Sequence, residues 1–464
     1  MNKKIFILIS LFSLLNATLP QAIKDFIYKD KIKTSNIAIL INNEESGESI
    51  ATLNERVSFN PASVAKVATS YAALLELGKN FRWPTQVYYS GKVKRGVLEG
   101  DLIIKAYGDP TLTSRNLRQF AKRLASYGIK EIKGDMIIDR SFFHTSNQIS
   151  SGFDKNFVSK YNAMPDAMML NEHLNAIKIV PKPNKIEAYR VGGDKSFKLI
   201  NNMKAVAGSC KGNRAWPKMR FIKEPSSVTI VLEGGVSSKC KPFAISKVLS
   251  RSYMSFYYIL KNYLNKEGIK FDGGVRLEET PEDAKLFFTH YSRPLINIVA
   301  KTLKESNNLY ARHLFLLIGA HRYGAPATLS KGQLALKEIL GERGLIEGEF
   351  LIVNGSGLSR KARVNAVTIA KINKDAYQTF GYDWLKSLSI AGVDGTLKRR
   401  FKNSVAKNKA FMKTGTLKKA KNIAGFVEGK NGVLYNVVIF YNGARIWLGK
   451  DLQDKIINWL VKRD

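Results

Sequence analysis

The chain has 464 residues, enough for two or three domains that each bury a full hydrophobic core. A hydrophobic content of 45% and a charged content of 24% are ordinary for a globular protein, and no low-complexity segment or internal repeat is present. The net charge of +36 favours anionic partners such as cell-wall polymers or lipid surfaces. The alternative is a general lysine-rich composition, because the basic residues are spread along the chain without a dense block.

Residues 1–17 are typical of a secretory signal peptide. Lys3 and Lys4 precede a largely apolar run over residues 5–15, and Ala17 offers a small residue for cleavage. The run is too short for a membrane-spanning helix. We therefore expect an exported, periplasmic protein with no nucleic-acid partner and at most a loose membrane or cell-wall surface association.

The two cysteines, Cys210 and Cys240, both lie in the exported part of the chain. They can pair as a structural disulfide in an oxidising compartment, and two unpaired thiols are the alternative.

After the signal peptide, apolar runs over residues 36–41 and 48–53 predict a β-hairpin. The hairpin leads into a stretch with helical spacing that ends at Gly78 and has Ser63 in its first turn. Lys66 follows three residues later and shares a helix face with Ser63. A buried lysine near other cations can lose its proton near neutral pH and activate a serine. The alternative is an ordinary helix start followed by a surface lysine.

The middle of the chain predicts two inserted units. Residues 97–163 contain a strand, an amphipathic helix and a second strand, which indicates a small α/β module. Residues 83–96 and 164–287 are mostly short apolar runs broken by Gly, Pro and Asn, which predicts a β-rich domain. One helix, at roughly 248–264, interrupts this β-rich region.

The last third of the chain alternates between helical and strand patterns. Together with residues 18–82, residues 288–464 are assigned to one catalytic domain. Its predicted helices are at 295–303, 309–317, 329–340, 367–375 and 452–461, and its predicted strands are at 411–412, 423–427 and 433–441. The histidines show no paired ligand spacing, so we expect no metal site; they are His144, His173, His290, His313 and His321. No cofactor is expected either.

Three short motifs carry the candidate chemistry. Ser63 and Lys66 form a Ser-x-x-Lys motif, Ser306 and Asn308 form a Ser-x-Asn motif at a polar break between helices, and Lys413 begins a Lys-Thr-Gly motif at a strand end. Each has an ordinary explanation by itself, such as a helix cap or a strand end. Together, and in this order, they are the motif set of penicillin-binding proteins and their β-lactamase relatives.

The chain resembles the low-molecular-mass class C penicillin-binding proteins, the D-alanyl-D-alanine carboxypeptidase/endopeptidases. Ser63 and Ser306 are separated by more than half of the chain, far more than a compact β-lactamase needs. Two positions depart from the family pattern: Asn354 stands where an aspartate is expected, and Arg312 stands where an acidic residue is common. Further similar stretches are residues 108–112, 354–360 and 392–397.

The resemblance implies an α+β multidomain fold. Its penicillin-recognising serine transpeptidase/β-lactamase-like catalytic domain would combine an antiparallel sheet with a helical cluster, and β-rich and α/β insertions would be nested in it. The implied partners are peptidoglycan stem peptides and cross-links as substrates, and β-lactam antibiotics as inhibitors.

The resemblance also implies a role for each motif residue. Ser63 would attack the carbonyl between two D-alanines with Lys66 as its base. Ser306 would pass the proton to the leaving amine, and Lys413 would keep the local field positive. Asn308 would hydrogen-bond the substrate backbone.

The third motif is expected to bind substrate. Thr414 and Thr416 would meet the terminal carboxylate, and Gly415 lets a substrate backbone approach closely. The backbone N–H groups of Ser63 and Thr416 would form the oxyanion hole.

Three other interpretations are open at this point. A β-lactamase or esterase on the same scaffold would turn over penicillin rapidly, although the large insertion argues against it. A non-catalytic wall-binding protein would not need Ser63, Lys66, Ser306 and Lys413 intact. A membrane-surface protein anchored by residues 452–461 is disfavoured because that helix is expected to pack on the sheet.

Overall fold

The computed structural model describes residues 19–145 and 148–463, so the expected signal peptide, residues 1–17, lies outside the described residues. In this part of the chain the α-helices are α1 (Gln21–Lys29), α2 (Ala65–Leu77), α3 (Ser114–Ser126), α4 (Ser252–Lys266), α5 (Leu295–Lys304), α6 (Asn308–Tyr323), α7 (Leu329–Gly341), α8 (Ala366–Phe380), α9 (Tyr382–Ser387) and α10 (Ile446–Lys462).

The strands of the described residues form five sheets. In chain order they are β1 (Ile37–Asn43), β2 (Ser49–Leu53), β3 (Pro84–Tyr89), β4 (Lys92–Lys94), β5 (Val97–Glu99), β6 (Leu102–Ala106), β7 (Glu131–Ile132), β8 (Met136–Asp139), β9 (Asn175–Pro181), β10 (Ile186–Arg190), β11 (Leu199–Val206), β12 (Lys218–Lys223), β13 (Val228–Ser237), β14 (Phe243–Lys247), β15 (Lys270–Phe271), β16 (Val275–Arg276), β17 (Lys285–Tyr291), β18 (Ser389–Ile390), β19 (Ala410–Leu417), β20 (Ala420–Glu428) and β21 (Leu434–Tyr441).

The segments predicted to form the catalytic domain contain a six-stranded antiparallel sheet with the order β18-β19-β20-β21-β1-β2. Helices α2 and α5 to α9 share a hydrophobic core with one face of this sheet, and α10 packs on the other face. Because helices cover both faces, the central strands are apolar at nearly every position, as β21 illustrates. The predicted α+β fold, with an antiparallel sheet and a helical cluster, is confirmed.

Helix α2 lies within the helical cluster. Its residues from Ala65 to Leu74 are all buried, which is why the segment is apolar nearly all round instead of amphipathic. A single 3-10 turn, Ala62–Val64, precedes it and carries Ser63. The candidate nucleophile is therefore held at the start of an enclosed helix.

An α/β unit follows α2 in the chain. Its five-stranded sheet has the order β16-β8-β6-β3-β17, and α3 and α4 pack against each other and share its core. We expected residues 83–96 in the β-rich domain and a catalytic domain resuming at 288, and both assignments are wrong. Strand β3 pairs with β6 and with β17, so all three strands belong to one sheet. The short apolar run in β3 does not indicate which strands pair with it, and one of them, β17, lies far away in the sequence.

The β-rich unit consists of two three-stranded sheets, β10-β9-β14 and β11-β13-β12, around a core of their own. These strands run from Asn175 to Lys247, between β8 and α4 of the α/β unit. The nesting is therefore the reverse of our expectation, with the β-rich unit inserted into the α/β unit. Cys210 and Cys240 form a disulfide, which was the first of the two alternatives for these cysteines. The disulfide lies in the β-rich unit.

Helix boundaries differ from expectation at the C-terminal end of the chain. Helix α10 begins at Ile446, before the predicted start at 452, and the short helix α9 has no counterpart among the predicted helices. Among the residues that the structure describes, no helix combines the length and the apolar composition that a membrane span requires.

Candidate active site

The first motif places a buried lysine next to the candidate nucleophile. Lys66 Nζ lies 2.9 Å from Ser63 Oγ, 2.8 Å from Asn308 Oδ1 and 2.5 Å from the backbone oxygen of Ser356. The side chain of Lys66 is fully buried, whereas Ser63 is half-buried and can be reached from outside. One amine thus contacts the serine hydroxyl, the second motif and a distant loop.

The surroundings of Lys66 favour its neutral form. Burial lowers the pKa of Lys66 well below its ordinary value, and the positive charges of Lys413 and Arg312 lower it further. A neutral amine has a free lone pair, so Lys66 can accept the proton of Ser63.

The second motif lies at the junction of α5 and α6. Ser306 adopts a left-handed backbone conformation, with φ of 55°. Asn307 caps α6, because its side-chain oxygen accepts hydrogen bonds from the N–H groups of Leu309 and Tyr310. Asn308, the first residue of α6, directs its side chain to Lys66, and its Nδ2 donates to the backbone oxygen of Tyr161 at 3.1 Å.

Lys413, the first residue of the third motif, is a second buried lysine and lies next to the second motif. Lys413 Nζ donates to Ser306 Oγ at 2.9 Å and to the backbone oxygen of Thr414 at 2.7 Å. Burial lowers the pKa of Lys413 to about 7. The two lysines therefore divide the motif serines between them: Lys66 contacts Ser63, and Lys413 contacts Ser306.

Strand β19 presents the third motif along an open edge. Strand β18 pairs with β19 only at Phe411 and Met412, so in the described structure the next residues of β19 have no strand partner on that side. Thr414 Oγ1 donates to Thr396 Oγ1 at 2.8 Å, and Thr416 is exposed. A peptide could therefore pair with β19 beside the two threonines.

Gly415 is the point where β19 meets the nucleophile turn. A Cβ atom at this position would lie 2.8 Å from the backbone oxygen of Pro61 and 2.9 Å from the backbone nitrogen of Ser63. Real side chains do not tolerate such distances to backbone atoms. The absence of a side chain at Gly415 is thus what allows the strand to lie against the Ser63 turn.

The loop that contains Asn354 supplies a contact that the motifs did not reveal. Asn354 Oδ1 accepts hydrogen bonds from the N–H and the Oγ of Ser356, at 3.1 and 2.9 Å. This side-chain turn presents the backbone oxygen of Ser356 to Lys66. Asparagine makes these contacts where aspartate was expected. The stretch 354–360 stands out in the sequence, but nothing there singles out Ser356.

Arg312, the second departure from the family pattern, is buried one helical turn beyond Asn308. Its guanidinium donates to the backbone oxygen of Ala163 at 2.5 Å. Burial lowers the pKa of Arg312 to about 10, so the side chain is still charged at neutral pH. Its charge acts on Lys66, a consequence that the sequence pattern does not indicate.

A cleft of about 720 Å³ is lined by Asn60 and Leu417, which are close to the motifs in sequence, but by none of the motif residues themselves. Phe153 and Arg360 also line it, and the guanidinium of Arg360 lies 4.3 Å from the centre of the Phe153 ring. In the described residues, no group of three or more His, Cys, Asp and Glu side chains is placed to hold a metal ion.

The structure thus brings the predicted site residues together. Ser63, Lys66 and Asn308 form one hydrogen-bonded group, and Ser306 and Lys413 form a second. Residues 414 to 416 follow Lys413 along the strand edge, with Gly415 against the Ser63 turn. The fold and this arrangement define a serine enzyme of the penicillin-recognising class.

Comparisons with known proteins agree with this class. Residues 19–463 match the family described as D-Ala-D-Ala carboxypeptidase 3 (S13). The chain is 29% identical over 419 residues to the D-alanyl-D-alanine carboxypeptidase DacB of Haemophilus influenzae. The aligned region covers 88% of this chain and 86% of that protein. It is 25% identical over 416 residues to the D-alanyl-D-alanine carboxypeptidase of Actinomadura sp. (strain R39), covering 85% of this chain and 76% of the relative.

Solved structures show the same similarity in three dimensions. The crystal structure of penicillin binding protein 4 (dacB) from Haemophilus influenzae matches with a TM-score of 0.79 and 26% identity, over 95% of this chain and 99% of that one. The same protein complexed with a novel β-lactam matches with a TM-score of 0.73 and 25% identity, over 94% of this chain and 99% of that one. The Bd0816 predatory endopeptidase of Bdellovibrio bacteriovorus shares the fold, with a TM-score of 0.55 and 15% identity over 92% of this chain and 93% of that one.

The chain belongs to the D-Ala-D-Ala carboxypeptidase 3 (S13) family of serine peptidases. Its activity is that of a D-alanyl-D-alanine carboxypeptidase, as the sequence predicted.

Proposed function

We propose that Ser63 is the nucleophile of this carboxypeptidase and forms an acyl-enzyme with peptidoglycan stem peptides. The observation that supports this most directly is the 2.9 Å distance between Ser63 Oγ and the Nζ of Lys66, whose pKa is lowered by burial and by neighbouring cations. Activation of a serine by an adjacent neutral amine is a recognised form of nucleophilic catalysis.

Acylation includes two proton transfers, one away from the Ser63 hydroxyl and one to the leaving nitrogen. Neutral Lys66 takes the proton from Ser63 Oγ as Oγ bonds to the carbonyl carbon between the two D-alanines. The N–H groups of Ser63 and Thr416 stabilise the resulting oxyanion, at roughly 3–4 kcal/mol per donor. Ser306 then gives its own proton to the leaving nitrogen and receives in its place the proton that Lys66 took up, so that Lys66 is neutral again. The C–N bond breaks, and free D-alanine departs. Water hydrolyses the ester, which releases the shortened peptide and restores Ser63.

Substrate is held along β19. The terminal carboxylate meets the hydroxyls of Thr414 and Thr416 in the field of Lys413, and Asn308 binds the peptide backbone. The open edge of the strand leaves room for an extended peptide. We therefore propose endopeptidase action on cross-links as a second activity, and inhibition by β-lactam antibiotics, which acylate the same serine.

Labelling with a fluorescent penicillin tests the nucleophile. The purified mature protein should take up a lasting covalent label, and Ser63→Ala should take up none. A label in both proteins would place the nucleophile elsewhere. Rapid loss of penicillin without a label would indicate a β-lactamase, and neither label nor loss would indicate a non-catalytic wall-binding protein.

We also propose that the protein works in the periplasm and associates loosely with the anionic wall or membrane surface. The net charge of +36 supports this, since such a surface attracts polyanions. Co-sedimentation with purified peptidoglycan or with anionic vesicles should fall steeply with added salt, because the screening length shrinks from about 10 Å at 0.1 M to about 3 Å at 1 M. Binding that persists at about 1 M salt, or that is absent at low salt, would contradict the proposal.

A further inference from the structure

Besides the backbone oxygen of Tyr161, the inserted α/β unit reaches the second motif through the carboxylate of Glu172. Glu172 lies between β8 and β9, at the centre of three consecutive residues with left-handed backbone conformations, Asn171, Glu172 and His173. Its side chain is only 15% exposed. Glu172 belongs to none of the three motifs, and its sequence surroundings give it no evident role.

The Glu172 carboxylate contacts both helices that flank Ser306. Its Oε2 accepts a hydrogen bond from Asn307 Nδ2 at 2.9 Å and forms an ion pair with Lys160 at 2.5 Å. Its Oε1 accepts from Lys301 Nζ of α5 at 2.6 Å and from the hydroxyl of Tyr310 of α6 at 3.3 Å. A single side chain thus joins the end of α5, the cap residue and the start of α6.

The backbone around Glu172 is fixed from both sides. Asn171 accepts a hydrogen bond from the N–H of Ser114 at 2.9 Å and donates to Ser114 Oγ at 2.7 Å. Both ring nitrogens of His173 lie 2.9 Å from backbone oxygens, those of Met164 and Ser250. The carboxylate therefore projects from a rigid support rather than from a free loop.

Ser306 needs such a support. Its φ of 55° is unfavourable for a residue with a side chain and persists only where neighbouring groups hold it. Asn307, the next residue, holds α6 through its side-chain oxygen and Glu172 through its side-chain nitrogen. Displacement of Asn307 would move Ser306 and Asn308 together, and with them the contacts to Lys413 and Lys66.

We propose that Glu172 is a positioning residue for the acylation step. By holding Asn307, it keeps Ser306 hydrogen-bonded to Lys413 and Asn308 hydrogen-bonded to Lys66. The proposal deepens the proposed function and rests on it. Burial raises the pKa of Glu172, but hydrogen bonds from Lys160 and Lys301 bring the pKa below its ordinary value. The Glu172 carboxylate is therefore ionised at neutral pH and can accept a hydrogen bond from the Asn307 amide.

Stopped-flow acylation by a penicillin tests the proposal, because it separates the dissociation constant of the first complex from the acylation rate constant. Glu172→Ala should lower the acylation rate constant by roughly 10-fold to 100-fold, as expected for a small misplacement of catalytic groups. The dissociation constant should change much less. Glu172→Gln keeps an acceptor for Asn307, so it should recover most of the rate.

A variant of Asn307 and a control variant of Lys160 test whether Glu172 acts through its contact with Asn307. Asn307→Ser keeps a good helix cap but loses the amide donor, so it should slow acylation like Glu172→Ala, and the double variant should be no slower than either. Lys160→Met removes the more exposed of the two lysine partners of Glu172, and it should acylate within about fivefold of the wild type. Circular dichroism spectra identify any variant that fails to fold.

Two outcomes would overturn the inference. One is wild-type acylation by Glu172→Ala, and the other is an equal loss of rate in Glu172→Gln and Glu172→Ala. Failure of the proposed function would look different, since the wild-type protein would then not acylate at all or would do so without Ser63.

Discussion

At the scale of single residues, the site depends on two buried lysines whose pKa values are both lowered by burial. Lys66 must be neutral to accept a proton, and the positive charge of Lys413 lowers the pKa of Lys66. Lys413 itself titrates with a pKa of about 7, close to the pH at which the enzyme would work. Small changes in the surrounding charge should therefore alter the pH dependence of acylation.

Arg312→Gln tests this coupling. The substitution keeps a polar side chain with an N–H donor at this position, but the positive charge and the hydrogen bond from the guanidinium to the backbone oxygen of Ala163 are lost. A nearby cation disfavours the protonated form of Lys66, so its removal should raise the pKa of Lys66. Because acylation requires the neutral amine, the rising limb of the rate against pH should move to higher pH, while the plateau rate changes little. Stopped-flow acylation over a range of pH measures the shift.

Arg190→Gln is the matched control. Its guanidinium also donates to a backbone oxygen, that of Phe197, but it lies in β10 of the β-rich unit, outside the motif network. The rising limb of this variant should coincide with that of the wild type. A shift of the Arg312→Gln limb to lower pH, or no shift, would show that Arg312 does not act on Lys66 through its charge.

At the scale of elements, the site depends on how closely β19 lies against the turn before α2. Gly415→Ala would bring a methyl group to within 2.9 Å of the backbone nitrogen of Ser63. Strand and turn would have to separate, which would displace Ser63 from the third motif on β19. We expect the acylation rate to fall by about 100-fold, the loss typical of a misplacement near 1 Å. Stopped-flow acylation by a penicillin measures this rate.

Gly341→Ala serves as the control for Gly415→Ala. Gly341 ends α7, and a Cβ atom there would meet open space. This variant should acylate at the wild-type rate. Equal rates for Gly415→Ala and the wild type would mean that the close approach at Gly415 is not needed.

The same scale shows what the sequence could and could not predict. Continuous apolar runs identified most of the sheet and the helical cluster, because burial on both faces leaves a strong pattern. The start of α10 was harder to place because a glycine such as Gly449 is unfavourable inside a helix. In the structure Gly449 lies in the helix and allows close packing against Tyr441.

Contacts between distant segments left no local pattern. Ser356 and Glu172 meet the motifs only through the tertiary fold, and no spacing rule connects them with Lys66 or Asn307. The motif serines and lysines could be found because their order along the chain is itself the signal. Their roles in the reaction stay predictions until the variants are measured.

At the scale of the whole molecule, the two inserted units have different relations to the site. The segment from Tyr161 to Glu172 contacts the second motif directly. The β-rich unit, from Asn175 to Lys247, has its own core and its own disulfide. The reversed nesting explains this difference, since the β-rich unit is attached to the α/β unit and is carried by it.

Removal of the disulfide should therefore separate stability from catalysis. Cys210 and Cys240 are 30 residues apart in sequence, and a cross-link over such a loop stabilises by about 3–4 kcal/mol through the entropy of the unfolded chain. The double variant Cys210→Ser/Cys240→Ser should lose about this much free energy of unfolding in the β-rich unit, measured by calorimetry. Its acylation rate constant at room temperature should equal that of the wild type, because the support of Ser306 comes from Glu172 in the α/β unit. A parallel loss of acylation would show instead that the β-rich unit is needed to hold the site, and unchanged calorimetry would show that the cross-link does not stabilise the fold.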